Sequence, residues 1–486
     1  MSRRLIKGGF VVSVDPRLGN LDDADVLIED GKISAVGRNL SAADAEIIDA
    51  AHMIVMPGFV DTHRHIWQGA MRAVTADWSL LNYLGGIRMS AAACYRPEDM
   101  YAAQYQGALE AINAGVTTIT DYCHNLNTPD HAHEAIRGLR DAGLRAIWNY
   151  GFNRPPLGDP AFKTQQERLQ FARTLAAQYF VQRDAILTMG VAPEEAALWI
   201  DDDAGKAQFA LARELAARLF WHCNCLNHGG GRPFEVARLH ALGLLDHDIV
   251  LSHMRYTTPE EWRLVAEHGV AVAFTPDTEL QMGMGYPSTI IARRHGIAHG
   301  YGADITSNNS ADMFTPLRMA LQTARAELNA PRDGELYDGV PITCDEALRW
   351  GTLEGARVLG LDHRIGSLTP GKDADIILLN TDSITLVGWD RSNPAGTIIQ
   401  QASIADVDTV MIKGKVLKRH GVLLADVKRA CRLLADAAEH IAREVAAKGG
   451  FYVDPQRTFQ LMQAVTSARH VDAFRADYQE IAPTTT

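Results

Sequence analysis

The sequence predicts an α/β protein. The expected fold is a (β/α)8 barrel of the TIM type, inserted in a small β-sandwich domain that both termini build and followed by a C-terminal helical extension. Three observations predict it. Short apolar runs alternate with helical stretches eight times between residues 57 and 362. Strand-and-turn segments flank that alternation at residues 1–56 and 363–420, in a style the middle lacks. An amphipathic stretch then opens residues 421–486. Strands alternating with helices make parallel βα units, and eight such units over about 300 residues close a barrel. The 486 residues exceed one ordinary domain and suit a large domain with a smaller one.

The elements follow in order. Phe10–Val14, Ala24–Ile28 and Lys32–Val36 read as strands, and Asp30-Gly31 between the last two favours a tight hairpin. The first barrel strand precedes His63. Val116–Thr120 follows the helical stretch Pro97–Ala114, and Ala146–Tyr150 follows His131–Asp141. Ala185–Val191 follows a helix ending near Gln182. Leu219–His222, Ile249–His253, Val270–Phe274 and His299–Asp304 complete the eight. Beyond the barrel, Asp375–Leu379 and Val407–Ile412 read as strands, and Lys413-Gly414-Lys415 as a turn. In Asp426–Lys448, Val427, Ala430, Leu433, Leu434, Ala437 and Ile441 recur near helical spacing. That helix is either a packing element or an oligomer contact.

Composition narrows the function class. Hydrophobic residues make up 47% and charged residues 22%, as in a soluble globular protein. The net charge of −12 argues against nonspecific binding to nucleic acid or to an anionic membrane, and says little about a small-molecule substrate, because a local pocket can oppose the global charge. No apolar run reaches the length of a membrane span. Lys7, Gly8 and Gly9 break the N-terminal apolar run, so it reads as a strand rather than a signal peptide. Six irregularly spaced cysteines predict reduced thiols and a cytoplasmic location.

The chemistry lies at the C-terminal ends of the strands, the face that carries the active site in such barrels. His63 and His65 stand two apart on the first strand, so both imidazoles can face inward and share one ion. His222 and His253 end the fifth and sixth strands, and Asp304 ends the eighth. Imidazoles with one carboxylate suit a divalent ion, zinc first and iron(II) as the alternative.

At these residues the sequence resembles the amidohydrolase superfamily, and within it the cytosine deaminase and triazine hydrolase branch. The resemblance rests on Pro57-Gly58-Phe59-Val60-Asp61-Thr62-His63-Arg64-His65, Leu251-Ser252-His253, Gly302-Ala303-Asp304 with Ser307-Asn308-Asn309, and Gly366-Ser367-Leu368-Thr369-Pro370-Gly371-Lys372-Asp373-Ala374-Asp375. It covers essentially the whole chain. It implies one metal ion held by His63, His65, His222 and Asp304, with His253 beside it. It also implies a homo-oligomer. The expected reaction is attack of metal-activated water on an electrophilic carbon of a nitrogen heterocycle, most simply deamination. The expected roles are proton transfer for Asp304 and polarisation of substrate or water for His253.

One position departs from the resemblance. Deaminases of this branch carry a glutamate three residues after the histidine of the fifth strand, where this chain has Cys225. A thiol is a differently tuned acid. Three readings stay open. Another acid replaces it, with Glu194 after the fourth strand as the candidate. The reaction needs less acid help, as in cleavage of another C–N, C–X or amide bond. Or hydrolysis is lost, leaving a lyase or a binding protein on the same barrel. Trp67, Gln68, Asp121, His124 and Gln281 are the candidates for contact with substrate, because they sit in or beside loops at strand ends.

Overall fold

The structure is a computed structural model that describes residues 3–152, 161–194, 202–226, 234–336 and 338–451. Eight parallel strands form one sheet in sequence order: Phe59–Arg64, Val116–Cys123, Arg145–Gly151, Leu187–Ala192, Leu219–Cys223, Ile249–His253, Ala271–Phe274 and His299–Tyr301. The sheet closes on itself. Asp304 N–H donates to the His63 carbonyl (2.9 Å) and His65 N–H donates to the Asp304 carbonyl (2.8 Å), so the first strand meets the segment after the eighth. This closure needs Gly302, because a Cβ there would lie 2.3 Å from the His63 carbonyl oxygen and 2.6 Å from Asp61 Oδ1.

The lower barrel interior is filled rather than open. Val60, Ile147, Phe220, Val250 and Ala273 point inward and pack against Ala356, Val358 and Ile365. Strand alternation then decides what stands above this layer. Phe220 faces in, so His222 does too; Val250 faces in, so Ser252 does too. The first strand breaks the rule, since Val60 and His63 both face inward three residues apart. A register shift between Asp61 and Arg64 inserts the extra residue, and such a bulge re-aims the side chains beyond it.

The strands of the two termini join in a separate nine-stranded sheet, with the last strand of the N-terminal segment, Met53–Pro57, beside Ile376–Asn380 from the far end of the chain. Ile6, Val11, Val26, Ile33, Val55, Ile376 and Met411 form its own apolar cluster. The Asp30-Gly31 turn is present, with φ of 49° and 82°, between Glu29 and Lys32 as paired neighbours. Glu46–Asp49, Met53–Pro57 and Val422–Leu423 are further strands that the sequence reading did not single out.

Arg145 ties this sheet to the barrel. Its buried guanidinium donates to both Asp375 oxygens (2.7 and 2.9 Å) and to Asp373 (3.0 Å). Asp373 also accepts from Arg364 and Lys32. The two aspartates of the Gly371–Asp375 motif are therefore structural. Arg145→Ala strands two buried carboxylates, and we expect a loss of about 3–5 kcal/mol of stability in denaturant titrations. An unchanged midpoint would show that the clamp contributes nothing.

The amphipathic stretch of the tail forms the helix Val427–Ala447, capped by Asp426, whose carboxylate accepts from Arg429 N–H (2.9 Å). It buries Ala430, Ala437, Ile441 and Val445 and packs on the helix Pro97–Asn113. The packing role is thus the one seen within a single chain.

Candidate metal centre

Four donor atoms converge at the C-terminal end of the barrel. His222 Nε2 lies 3.2 Å from both His63 Nε2 and His65 Nε2. Asp304 Oδ1 lies 3.4 Å from His63 Nε2 and 3.5 Å from His65 Nε2. Ligands at 2.0–2.2 Å from one tetrahedral centre stand about 3.3–3.6 Å apart, close to these four separations. The donors fall into two sets of three that could hold an ion, His63 with His65 and Asp304, and His63 with His222 and His253. The neighbours enforce the convergence. His65 Nδ1 lies 2.8 Å from the Tyr122 carbonyl, so that nitrogen carries the proton and the Nε2 lone pair faces the cluster. His63 Nδ1 is held by the Ser252 hydroxyl at 2.9 Å. Tyr122 lies flat on His222, with ring centres 4.3 Å apart.

The electrostatics favour the same protonation states. Burial, helped by the charge of the neighbouring imidazoles, pushes His65 and His222 well below the ordinary histidine range, so both offer lone pairs. Burial opposes the charge of Asp304, but its contact with His63 and the electrostatic pull of the His63, His253 and His65 imidazoles outweigh it. They hold its carboxyl far below the usual carboxylate range.

His253 stands beside this set, with its ring stacked 5.5 Å from that of His222. The alternation that turns Ser252 inward would turn His253 away, and a left-handed φ of 72° brings it to the site. Its Nδ1 faces Glu279 Oε1 (3.3 Å) and Thr275 Oγ1 (3.1 Å). Burial works against its charge, but the Glu279 hydrogen bond and the Asp304 carboxylate raise His253 above its ordinary value. Glu279 is fully buried, and its Oε1 also accepts from Thr275 N–H (2.9 Å). The sequence reading missed this partner. Its only signal there is an acidic residue shortly after the end of the seventh strand.

The other site candidates divide. His124 reaches the cluster, stacking on His65 with ring centres 4.3 Å apart and planes 10° apart. Trp67 is fully buried and holds His124, its Nε1–H donating to His124 Nδ1 (3.0 Å). Gln68 is a brace, not a substrate contact: it donates to the Tyr83 hydroxyl (2.7 Å) and accepts from Ser307 (2.8 Å), fully buried. Asp121 faces out of the barrel, because Tyr122 next to it faces in. Its oxygens accept from Ile66 N–H (3.1 Å) and Gln104 (2.9 Å), and burial pushes its carboxyl up to about 7. Gln281 is exposed and donates to the carbonyls of Thr75 and Ala76, pinning the loop after the seventh strand to the loop after the first.

Cys225 is half-buried, its Sγ 3.5 Å from the Cys223 carbonyl oxygen. Glu194 follows the fourth strand, half-buried, and its backbone N–H donates to Gln208 Oε1 (2.8 Å). Two charged groups at this end went unnoticed in the sequence. Asp277 is pushed up to about 6 by burial and by the nearby carboxylates of Asp312 and Asp304. Burial, and after it the charge of Arg88, half-buried in Leu84–Ser90, disfavours the charged form of His124.

Comparison with known proteins places this geometry. A sequence profile of the amidohydrolase family matches residues 54–417. The chain is 28% identical over 431 residues to a 5'-deoxyadenosine deaminase of Methanothermobacter thermautotrophicus, covering 86% of this chain and 95% of that one. Among solved structures it is similar to a zinc-bound adenosine deaminase of Xanthomonas campestris (TM-score 0.77, 25% identity, 90% and 98% of the two chains). It is also similar to an atrazine chlorohydrolase of Arthrobacter aurescens complexed with zinc (TM-score 0.76, 25% identity, 89% and 99%). With a match over most of its length and a donor set at the strand ends, this chain belongs to the amidohydrolase family.

Proposed function

We propose that this protein is a metal-dependent hydrolase that removes an amino group from a nitrogen heterocycle. The observation that carries the reading is the convergence of His63, His65, His222 and Asp304, with a carboxylate-backed His253 beside them. Those four residues hold one divalent ion, zinc by the company the chain keeps and iron(II) by the same donor chemistry. When bound, such an ion supplies Lewis acidity that brings the pKa of water from 15.7 to roughly 7. Asp304 Oδ1 takes the proton of the attacking water. His253, held by Glu279, places an N–H beside the negative charge that develops on the substrate. It is also the proton source for the departing amine, the work that a glutamate at position 225 does in related deaminases. The few, irregularly spaced cysteines support a cytoplasmic location, and no described helix is long and apolar enough to cross a membrane. The family resemblance supports a homo-oligomer, which light scattering measures.

The test is metal analysis followed by ammonia release from aminopyrimidines, aminotriazines and adenine nucleosides. We expect about one divalent ion per chain and ammonia only from the loaded protein. Loaded, folded protein that releases no ammonia from any of them would overturn deamination. A second reading then takes its place: hydrolytic displacement of a group that leaves as a stable anion, which Cys225 favours because such a group needs no acid. The variant Cys225→Glu separates the two. An added acid should raise deamination by about 10–100-fold and leave displacement of an anion unchanged, given acid contributions of 10²–10⁴.

A further inference from the structure

The mechanism leaves one buried donor unused beside the centre. His124 lies just past the second strand, and its backbone is pressed onto Gly151 at the end of the third, where a Cβ would stand 2.6 Å from His124 Cα. Its ring lies flat on His65, with centres 4.3 Å apart and planes 10° apart, and its centre is 6.1 Å from that of His222. The side chain is therefore held beside two residues of the donor cluster. It is 2% exposed, and its Nε2 has no hydrogen-bond partner among the described residues.

Trp67 decides what that nitrogen is. Its indole Nε1–H can only donate, and it donates to His124 Nδ1 at 3.0 Å. With Nδ1 accepting, the neutral imidazole carries its N–H proton on Nε2. Trp67 is itself anchored. It is fully buried, its carbonyl accepts from the Tyr95 hydroxyl (2.8 Å), and its ring meets that of Tyr95 edge to face. A protonated Nε2 has no lone pair to offer, so His124 does not join the metal ligands. A buried N–H without an acceptor is costly, because folding strips its water and returns nothing. At the strand ends of a barrel, where substrates bind, a molecule that brings a lone pair removes that cost.

We propose that His124 Nε2–H is a substrate-binding donor whose tautomer Trp67 fixes, and that the substrate is a heterocycle presenting an in-plane lone pair to it, on a ring nitrogen or a ring carbonyl. Trp67 is the positioning residue. The donor is neutral, so it selects an acceptor atom rather than a charge. A heterocycle with a C–H in that place leaves the N–H stripped of water and unpaired, the arrangement by which polar sites reject analogues most strongly. The substrate class rests on the deaminase reading, whereas the tautomer and the recognition can be measured without turnover.

The experiment uses zinc-loaded full-length protein. Nitrogen–proton NMR of the histidines, with the His124 signal identified by its loss in His124→Phe, reads the tautomer. We expect the proton on Nε2 in the wild type and a mixture of tautomers in Trp67→Phe. A wild-type proton on Nδ1 overturns the proposal. Calorimetry then compares parent rings with analogues in which C–H replaces one ring nitrogen: cytosine with 3-deazacytosine, adenosine with its 1-, 3- and 7-deaza analogues, and melamine with 2,4,6-triaminopyrimidine. 4-Aminopyrimidine, which lacks the carbonyl of cytosine, tests that oxygen. For at least one pair we expect the acceptor to tighten Kd about 10-fold in the wild type. That ratio should fall toward one in His124→Phe. It should be partly kept in His124→Gln, whose amide oxygen can accept from Trp67 while its NH2 donates. Metal content should be unchanged in both. If no pair shows this coupling, or if no probe binds, water completes the N–H and the proposal is overturned. Ammonia release without coupling overturns it while leaving deamination standing. Coupling in Kd without ammonia supports the recognition and refutes deamination.

Discussion

Asp304→Asn is expected to lower kcat by about 10³-fold or more while the protein stays folded. The substitution isolates the charge. Asparagine has nearly the same shape and, like aspartate, tolerates the left-handed backbone that this position adopts at φ 59°. The backbone bonds that close the barrel, Asp304 N–H to the His63 carbonyl and His65 N–H to the Asp304 carbonyl, do not involve the side chain. What is lost is the anionic oxygen 3.4 and 3.5 Å from the His63 and His65 nitrogens. That oxygen is both a donor to the metal and the acceptor of the water proton, so metal content should fall together with rate. The wild-type carboxyl is held far below the usual range, so it is ionised at every working pH and the defect should not be relieved by raising pH. Metal analysis, circular dichroism and kcat on the same preparation check all three statements. Wild-type turnover in the variant would remove Asp304 from both roles.

Glu279→Gln is the second large effect, and its pH dependence is its signature. The glutamate carboxylate faces His253 Nδ1 at 3.3 Å and raises its pKa above the ordinary histidine value. Protonated His253 is the form that donates, so activity falls as pH rises through that pKa. Removing the carboxylate lowers the pKa, and the alkaline limb of the profile moves to lower pH. We expect kcat to drop about 10²-fold at alkaline pH and by less at acid pH. Glutamine keeps an acceptor for Thr275 N–H, so the helix after the seventh strand should be retained. A uniform loss at all pH values would mean that Glu279 only holds the loop in place.

The two variants probe opposite ends of one design. His222 is 3.2 Å from His63 Nε2 and stacked on His253, and the Asp304 carboxylate helps to raise His253. The two sides are therefore one coupled set. Asp304 loss affects the attacking water, and Glu279 loss affects the leaving group. Doubly substituted protein should be little worse than Asp304→Asn alone, because residues that act as one unit are strongly non-additive.

The sequence by itself determined the barrel and the terminal sheet, and it singled out five residues that the fold brings to one end of the barrel. Periodicity carries that information: eight apolar runs set the strands, and a histidine or aspartate at a strand end is placed at the functional face wherever the strand sits. The departure at Cys225 is equally local and equally legible. The tertiary structure decided which way side chains point and what stands behind them. Asp121 and His124 look alike in sequence, three residues apart at the end of one strand. Inward Tyr122 sends Asp121 out to Gln104 and brings His124 onto His65. Gln68 and Trp67 stand just past the His pair, yet both serve as braces, through partners 15, 239 and 57 positions away in the chain. Glu279 became visible only because folding sets the helix after the seventh strand behind His253. A one-dimensional pattern fixes the period of an element, whereas the facing of a single side chain depends on bulges, left-handed turns and distant partners that only packing selects.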